Sequence, residues 1–269
     1  MLFKNKTCKY CNHSFDETLE YCPKCSKRDE DYTNLGIPKG LIMTPILNQI
    51  LFILIGFVGL IISQTIISIS LRGLFETNEP LAVALANFVS YGIVFIALLL
   101  SLVNVRKTLF IKLKALKPYA FGLLFGILLI GFSYFYSEVI LRLSNTGVNE
   151  NQLAAESLIV GFPIASIIIL GFVAPICEEL TYRLGLFSYA SRINKYVAYA
   201  VTTIFFGLIH FDFFSTDIIT ELICLPQYLI AGFLLCFTYE KFGLSASISA
   251  HCLNNLFSII YILIASTYA

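Results

Sequence analysis

Two adjacent glutamates stand at the end of a long uncharged stretch of the chain. Glu178 and Glu179 close the run 157–177, and Arg183 follows Glu179 by one helical turn. Charge inside an apolar helix is costly and usually marks a functional site. Glu179 and Arg183 are four residues apart with the acid first, the better order for an ion pair on one helix face. Glu178 lies about 100° around the same helix, so we expect the two carboxylates to do different work.

Two of the three histidines lie in similar apolar surroundings further along the chain. His210 follows Phe206 by one helical turn, and His251 shares a helix face with Asn255. A buried carboxylate beside two imidazoles can activate water, directly or through a divalent metal held by Glu178, His210 and His251. The Asn255 amide could stabilise an oxyanion. Peptide hydrolysis fits this set better than phosphoryl transfer, because the chain contains no Gly-rich phosphate loop.

Depth in a membrane gives a first reason to treat these groups as one site. Arg192, Lys195 and Lys241 mark the cytoplasmic interface. At ~1.5 Å per helical residue, Glu178 lies ~21 Å from Arg192, His210 ~22 Å from Lys195 and His251 ~15 Å from Lys241. This estimate holds if the helices are unbroken. Three separate helices would then carry polar side chains to similar depths in the hydrocarbon layer, which predicts a single buried site.

Each group also has a structural interpretation. The two acids and the arginine could form an ion pair without function, and an intramembrane histidine or asparagine can simply join helices by hydrogen bonds. A transporter could use the same acids and histidines as a proton relay. A non-catalytic membrane immunity or scaffold protein is the main alternative to an enzyme.

Composition determines which elements must position these residues. The chain has 269 residues, of which 58% are hydrophobic and 13% charged, against about 45–50% apolar residues in soluble domains. We therefore predict an all-α polytopic membrane protein of the cell membrane, with about seven to eight transmembrane helices in the lipid bilayer. A net charge of +1 gives no indication of a nucleic-acid partner. The uncharged runs that predict the helices are 41–71, 81–105, 118–137, 157–177, 196–211, 222–239 and 242–265.

Charges in the loops predict the orientation of the chain. Segments 1–40, 106–117, 183–195 and 240–241 hold 16 of the 18 Lys and Arg residues. The alternate loops are acidic. Because basic loops remain on the cytoplasmic side, we expect the N-terminus in the cytoplasm.

Four cysteines near the N-terminus form a second motif. Cys8 and Cys11, then Cys22 and Cys25, make two Cys-x-x-Cys pairs separated by ten residues. This spacing predicts a structural zinc held by four thiolates, with metal binding supplying most of the folding energy. Two disulfides are the alternative, and His13 between the pairs is a further candidate ligand.

The zinc motif sets the predicted domain organisation. We expect a cytosolic zinc ribbon at residues 1–28, a linker at 29–40 and a transmembrane helical domain at 41–269. Four thiolates close the zinc shell and leave no open position for catalysis. The ribbon is therefore expected to dock a cytosolic protein partner or to regulate the enzyme.

Three short motifs on successive apolar helices resemble one known family. Glu178-Glu179-Leu-Thr-Tyr-Arg183 matches Glu-Glu-x-x-x-Arg, Phe206-Gly-Leu-Ile-His210 matches Phe-x-x-x-His, and His251-Cys-Leu-Asn-Asn255 matches His-x-x-x-Asn. In this order they resemble the CPBP family of intramembrane proteases. That family includes type II CAAX prenyl endopeptidases and bacterial proteins tied to bacteriocin self-immunity. The resemblance covers about residues 118–265.

The resemblance implies roles for the matching residues. Glu178 would act as general base on the attacking water with help from His210, and His251 with Asn255 would support the oxyanion. Glu179 and Arg183 would orient the site. The implied substrate is a membrane-embedded peptide or protein. Whether a metal takes part is left open by the sequence.

Overall fold

The computed structural model is helical apart from one small hairpin at the N-terminus. It describes residues 5–8, 11–16, 19, 22–25, 44–72, 79–103, 105–106, 109 and 113–268. The hairpin pairs β1 (Asn5–Thr7) with β2 (Ser14–Asp16) in antiparallel register. The linker predicted at 29–40 and both ends of the predicted ribbon lie outside the described residues.

Six of the described helices are long and apolar enough to cross a bilayer. They are α1 (Ile46–Leu71), α2 (Pro80–Ser101), α3 (Lys117–Ser144), α5 (Pro163–Ala190), α7 (Ile218–Phe242) and α8 (Leu244–Thr267). Two shorter helices lie between them, α4 (Glu150–Gly161) and α6 (Lys195–Leu208). The predicted all-α membrane fold is confirmed, and the expected seven to eight membrane helices agree roughly with six long helices and two short ones.

The helix that carries the two glutamates begins later than the sequence predicts. The uncharged run 157–177 is divided at Phe162, whose φ of −140° and ψ of 63° separate α4 from α5. Pro163 follows directly, and proline disfavours helical backbone at the residue before it. Pro175, a second proline in the same run, lies inside α5 without interrupting it. As a result, Glu178 lies in the middle of α5.

The helix before His210 is shorter than predicted. The uncharged run continues to Phe211, but α6 ends at Leu208 after 14 residues. At ~1.5 Å per residue this helix is ~21 Å long, which is too short to cross a bilayer alone. His210 therefore lies in the turn beyond α6, and the depth estimate based on an unbroken helix is wrong for this residue.

Helix α5 is the most enclosed of the long helices. In its most apolar 18-residue window 44% of the residues are buried, against 6% in α1. Its neighbours include Phe52 of α1, Leu98 of α2 and Cys236 of α7, which belong to one buried cluster with Phe187 of α5. Polar side chains on α5 are thereby shielded from both lipid and water.

Glycine permits two close approaches around this core. A Cβ at Gly122 of α3 would lie 2.5 Å from the backbone oxygen of Ala246 in α8, so only a glycine lets these helices meet at that point. Small residues at helix contacts are the usual solution in membranes. Gly243 alone connects α7 to α8 with a φ of 89°, a conformation that side chains rarely adopt.

Candidate active site

A fully buried ion pair on α5 anchors the site. Arg183 Nη1 lies 3.0 Å from Glu179 Oε1, and both side chains are 0% exposed. Arg183 Nη2 also donates a hydrogen bond to the carbonyl oxygen of Gly232 in α7, at 3.3 Å. The segment Ala174–Glu179 is α-helical, whereas the residues on both sides of it are π-helical. Such π-helical insertions occur frequently at functional sites.

His251 of α8 lies between the two carboxylates. Its Nδ1 is 2.9 Å from Glu179 Oε1 and its Nε2 is 3.7 Å from Glu178 Oε2. An ionised carboxylate only accepts hydrogen bonds, so the short contact assigns the proton to Nδ1. In the neutral ring Nε2 is then a free acceptor directed at Glu178. The ion pair of Glu179 and Arg183 thus fixes the orientation of the His251 ring.

Glu178 is less completely paired than Glu179. Its side chain is 13% exposed, and its Oε2 is buried without a hydrogen-bond partner among the described residues. The hydroxyl of Tyr91 in α2 faces this carboxyl group and interacts with it. A buried polar atom without a partner requires an explanation, and a reacting water or substrate would provide one.

Phe206 of α6 connects the two histidines. Its ring centroid lies 5.3 Å from that of His210 and 5.8 Å from that of His251. The guanidinium carbon of Arg183 lies 4.6 Å from the centroid of the same ring. His210 therefore approaches the Glu178 and His251 pair across the edge of Phe206, without a direct hydrogen bond among the described contacts.

His210 is held by residues that the sequence analysis did not select. Its ring stacks on Tyr228 of α7, with centroids 4.5 Å apart and planes 20° from parallel. Asn149, which precedes α4, donates from Nδ2 to the carbonyl oxygen of His210 at 2.7 Å and accepts from the Tyr228 hydroxyl at 3.0 Å. The Nδ1 of His210 is buried and has no hydrogen-bond partner in the described part of the chain.

A second buried carboxylate supports the same turn. Glu221 is 1% exposed. Its Oε1 accepts from the N–H of Glu150 at 2.9 Å, and its Oε2 accepts from the N–H of Asp212 at 3.0 Å and from Asn149 at 3.3 Å. Backbone N–H groups that are shielded from water need such partners. Glu221 therefore joins the turn that contains His210 to the start of α4.

The sequence contains only weak signals for Glu221 and Asn149. Glu221 directly precedes the uncharged run 222–239, where it reads as an ordinary loop acid. Asn149 caps the N-terminus of α4 by accepting from the N–H of Gln152, a role that its residue type favours. Neither signal indicates that both residues lie against His210.

Asn255 is turned toward α5 in this structure. Its Nδ2 donates to the carbonyl oxygen of Leu170 at 3.0 Å, and its Oδ1 accepts from Asn254 at 3.4 Å. Leu170 belongs to the π-helical segment Ile169–Val173. One of the two amide hydrogens of Asn255 is thus used by this contact, and the other is left for a further acceptor.

The candidate metal ligands of the chain lie in two separate places. Among the described residues, the one group of three or more metal-binding side chains whose donor atoms lie within 4.8 Å of one another is Cys8, Cys11, Cys22 and Cys25. Glu178, His210 and His251 do not form such a group. The geometry therefore does not fit a three-ligand catalytic metal.

The four cysteines do fit a metal. Cys8 Sγ lies 3.6 Å from Cys25 Sγ, and Cys11 Sγ lies 3.5 Å from Cys22 Sγ. All four thiols are free, which is the arrangement expected for a tetrahedral zinc shell and not for two disulfides. The four-cysteine cluster predicted from the spacing is confirmed. His13 is not a member of this group of donor side chains. Its backbone oxygen accepts from the N–H of Cys8 at 2.9 Å.

Comparison with known proteins agrees with the motifs. A family model described as Type II CAAX prenyl endopeptidase Rce1-like matches residues 160–257. This stretch of the chain is therefore similar to that family. It contains all three short motifs and the whole of α6 and α7, so the resemblance expected from the motifs is confirmed for this region.

The chain is also similar to a curated protein that is named only as uncharacterized. An uncharacterized protein of Mycoplasma capricolum subsp. capricolum is 32% identical over 178 residues, which cover 61% of this chain and 49% of the relative. The chain thus spans about half the length of the curated relative that it matches. No solved structure matches the chain. The Rce1-like region and its geometry are therefore the basis for a functional proposal.

Proposed function

We propose that this protein is an intramembrane endopeptidase that hydrolyses a peptide bond of a membrane-associated peptide or protein. The observation that carries the proposal is the largely enclosed pair of Glu178 and His251, with His251 Nε2 3.7 Å from Glu178 Oε2. The match of residues 160–257 to the Rce1-like family supports the same reaction class. A structural ion pair of Glu179 and Arg183 would not require a second carboxylate beside it.

In the proposed reaction Glu178 is the general base. A water held between Glu178 and His251 loses a proton to the Glu178 carboxylate while its oxygen attacks the peptide carbonyl carbon. The C–N bond then breaks, and the leaving amine takes up the proton, delivered by Glu178 or through His251 Nε2. Proton transfer by positioned side chains contributes typically about 10²–10⁴-fold to a rate.

The remaining site residues position these groups and stabilise charge. Glu179 and Arg183 hold His251 in the tautomer with Nδ1 protonated. The free hydrogen of Asn255 and the unpaired Nδ1 of His210 are the available groups for the oxyanion or for the attacking water. The proposed reaction uses no metal ion, because the donor atoms of Glu178, His210 and His251 do not come together as one set of ligands.

The zinc ribbon and the topology complete the proposal. Cys8, Cys11, Cys22 and Cys25 would hold one structural zinc, which stabilises the hairpin and supplies no open coordination position. We propose a cytoplasmic N-terminus, supported by the basic segment 106–117, by Arg192 and Lys195 after α5, and by the acidic loops at the opposite helix ends. The ribbon would then be available to a cytosolic protein partner.

The proposal is tested with the Glu178→Gln variant, which keeps the shape of the side chain but cannot act as a base. Membrane peptide fragments from cells that produce the wild type or the variant are compared by mass spectrometry. We expect fragments that are present with the wild type to decrease by about 100-fold or more with the variant.

Asp217→Asn is the matched control. Asp217 is exposed, caps α7, and retains a capping oxygen as asparagine. We expect this variant to produce the wild-type fragments. Identical fragments from wild type and Glu178→Gln would refute the proposal and favour the non-catalytic immunity or scaffold protein.

A further inference from the structure

A partly open cavity of about 190 Å³ lies between α3, α4, α7 and α8. Its wall is unusually polar for a site among membrane helices. The polar side chains include Ser133, Glu138, Gln152, Glu156, Gln227 and Asn254. Two carboxylates are among the lining residues, whereas no lysine, arginine or histidine of the described chain lines the cavity. We call this cavity the polar groove.

The inner end of the polar groove borders the candidate active site. Tyr228 lines the groove and stacks on the ring of His210, with centroids 4.5 Å apart. Asn254 also lines the groove and donates to Asn255 at 3.4 Å. A molecule in the groove would therefore lie one aromatic ring away from His210.

The polar side chains that line the polar groove suit a ligand that can form hydrogen bonds. Asn254 Oδ1 is buried and lacks a hydrogen-bond partner within the described residues, so a donor from a ligand would satisfy it. An isoprenoid chain offers no such donor, and leaving a buried polar group unpaired costs about 1–3 kcal/mol. A peptide backbone supplies both N–H and C=O groups. The lining therefore favours a peptide segment over a prenyl group.

The two carboxylates of the groove differ in their charge balance. Glu138 is paired with Arg142, at 2.5 Å. Glu156 accepts from the neutral amide of Gln152 at 3.0 Å and has no cationic partner among the described residues. Glu156 is thus the carboxylate that a lysine or arginine of a ligand could neutralise.

We propose that the polar groove binds an unprenylated peptide segment beside the scissile bond and prefers a lysine or arginine side chain at Glu156. This inference rests on the proposed endopeptidase function and names its substrate class. It also gives the position of that substrate: the segment occupies the groove between α3 and α8, with its scissile end toward Tyr228.

Binding is measured separately from cleavage. Purified full-length Glu178→Gln protein is titrated with fluorescein-labelled Gly-Ser-Lys-Ser-Gly, and with the same peptide carrying Gln or Glu in place of Lys. We expect the Lys peptide to bind about tenfold more tightly than the Glu peptide, which corresponds to one charge-assisted contact. Equal binding of the three peptides would overturn the proposal, as would displacement of the Lys peptide by farnesylcysteine methyl ester but not by the Gln peptide.

A second variant localises the preference. Adding Glu156→Gln removes the charge and keeps the shape, so we expect the Lys and Glu peptides to bind within about threefold of each other. Asp217→Asn is again the control, because Asp217 is an exposed acid that does not line the groove. A Lys preference that survives in Glu156→Gln would overturn the assignment to this residue.

Photo-crosslinking keeps the test independent of how well the Glu156 variant folds. A Lys peptide with a photoreactive group is bound to the Glu178→Gln protein, and the attachment sites are mapped by mass spectrometry. Attachment to groove residues of α3, α4, α7 or α8 supports the proposal, and attachment elsewhere overturns it. Selective binding without cleavage by the wild type would refute the endopeptidase function alone. Cleavage without this selectivity would refute the groove alone.

Discussion

Glu179 and Glu221 are almost fully buried carboxylates whose charges are compensated in different ways. Glu179 is neutralised by Arg183 from its own helix and by the Nδ1 hydrogen of His251. Glu221 is stabilised by N–H donors from the turn after α6 and from the start of α4, with no cation among its described contacts. We call these the ion-pair centre and the amide centre.

The difference between the centres corresponds to what each one positions. The ion-pair centre holds a ring nitrogen of His251, which requires a strong and directional acceptor. The amide centre holds a turn of backbone whose N–H groups would otherwise lack an acceptor in the protein. Charge compensation by an arginine is needed in the first case, whereas the second carboxylate is compensated by the donors that it organises.

The largest expected effect is the loss of the cation from the ion-pair centre. Arg183→Met leaves the Glu179 charge buried and unpaired, which costs about 3–5 kcal/mol. Thermal unfolding of the purified protein in detergent should therefore shift strongly to lower temperature. Adding Glu179→Gln to this variant should restore part of the loss, because it removes the stranded charge. If Arg183→Met alone is as stable as the wild type, Arg183 does not stabilise the buried charge of Glu179.

A smaller effect is expected at the amide centre. Glu221→Gln keeps one acceptor oxygen but loses the second one and the charge, which costs about 1–3 kcal/mol. Limited proteolysis should increase in the turn 209–217 before other regions respond. Asp217→Asn serves as the control within the same turn, where hydrogen bonds from the Thr220 hydroxyl and N–H hold the pKa of Asp217 below its usual value. If Glu221→Gln proves as costly as Arg183→Met, the two centres do not differ as described.

The smallest effect is expected at an exposed pair with the same spacing as the buried one. Glu138 and Arg142 are four residues apart, but the Arg142 side chain is 74% exposed. Arg142→Gln should change stability by about 1 kcal/mol or less, and salt should reduce the difference further. A loss comparable to that of Arg183→Met would show that spacing, and not burial, determines the energy of these pairs.

The parts of the molecule that local spacing controls could be predicted from the sequence. The spacing of the two Cys-x-x-Cys pairs predicts that the four thiol groups lie close together. An acid four residues before an arginine predicts an ion pair on one helix face. Uncharged runs predict most of the long helices. In each case the partners are neighbours in the chain or share one helical periodicity.

Contacts between distant segments could not be predicted in the same way. Asn149 and His210 are 61 residues apart, and neither their types nor their spacing indicates a hydrogen bond between them. The end of α6 before His210 was missed because hydropathy continues to Phe211, while the chain turns at Ile209. The partner of Asn255 on α5 depends on the π-helical segment, which has no sequence signal in this chain.

The single residue that joins α7 to α8 has a consequence for access to the interior. With only Gly243 between them, the ends of these helices cannot separate without unwinding one of them. Tyr228 of α7 and His251 of α8 therefore lie on one helical hairpin whose closed end is at Gly243. Widening that admits a large substrate therefore leaves the ends of α7 and α8 at Gly243 together. Spin labels placed across α4 and α8 should report a displacement of α4, while labels next to Gly243 on α7 and α8 should remain at a constant separation.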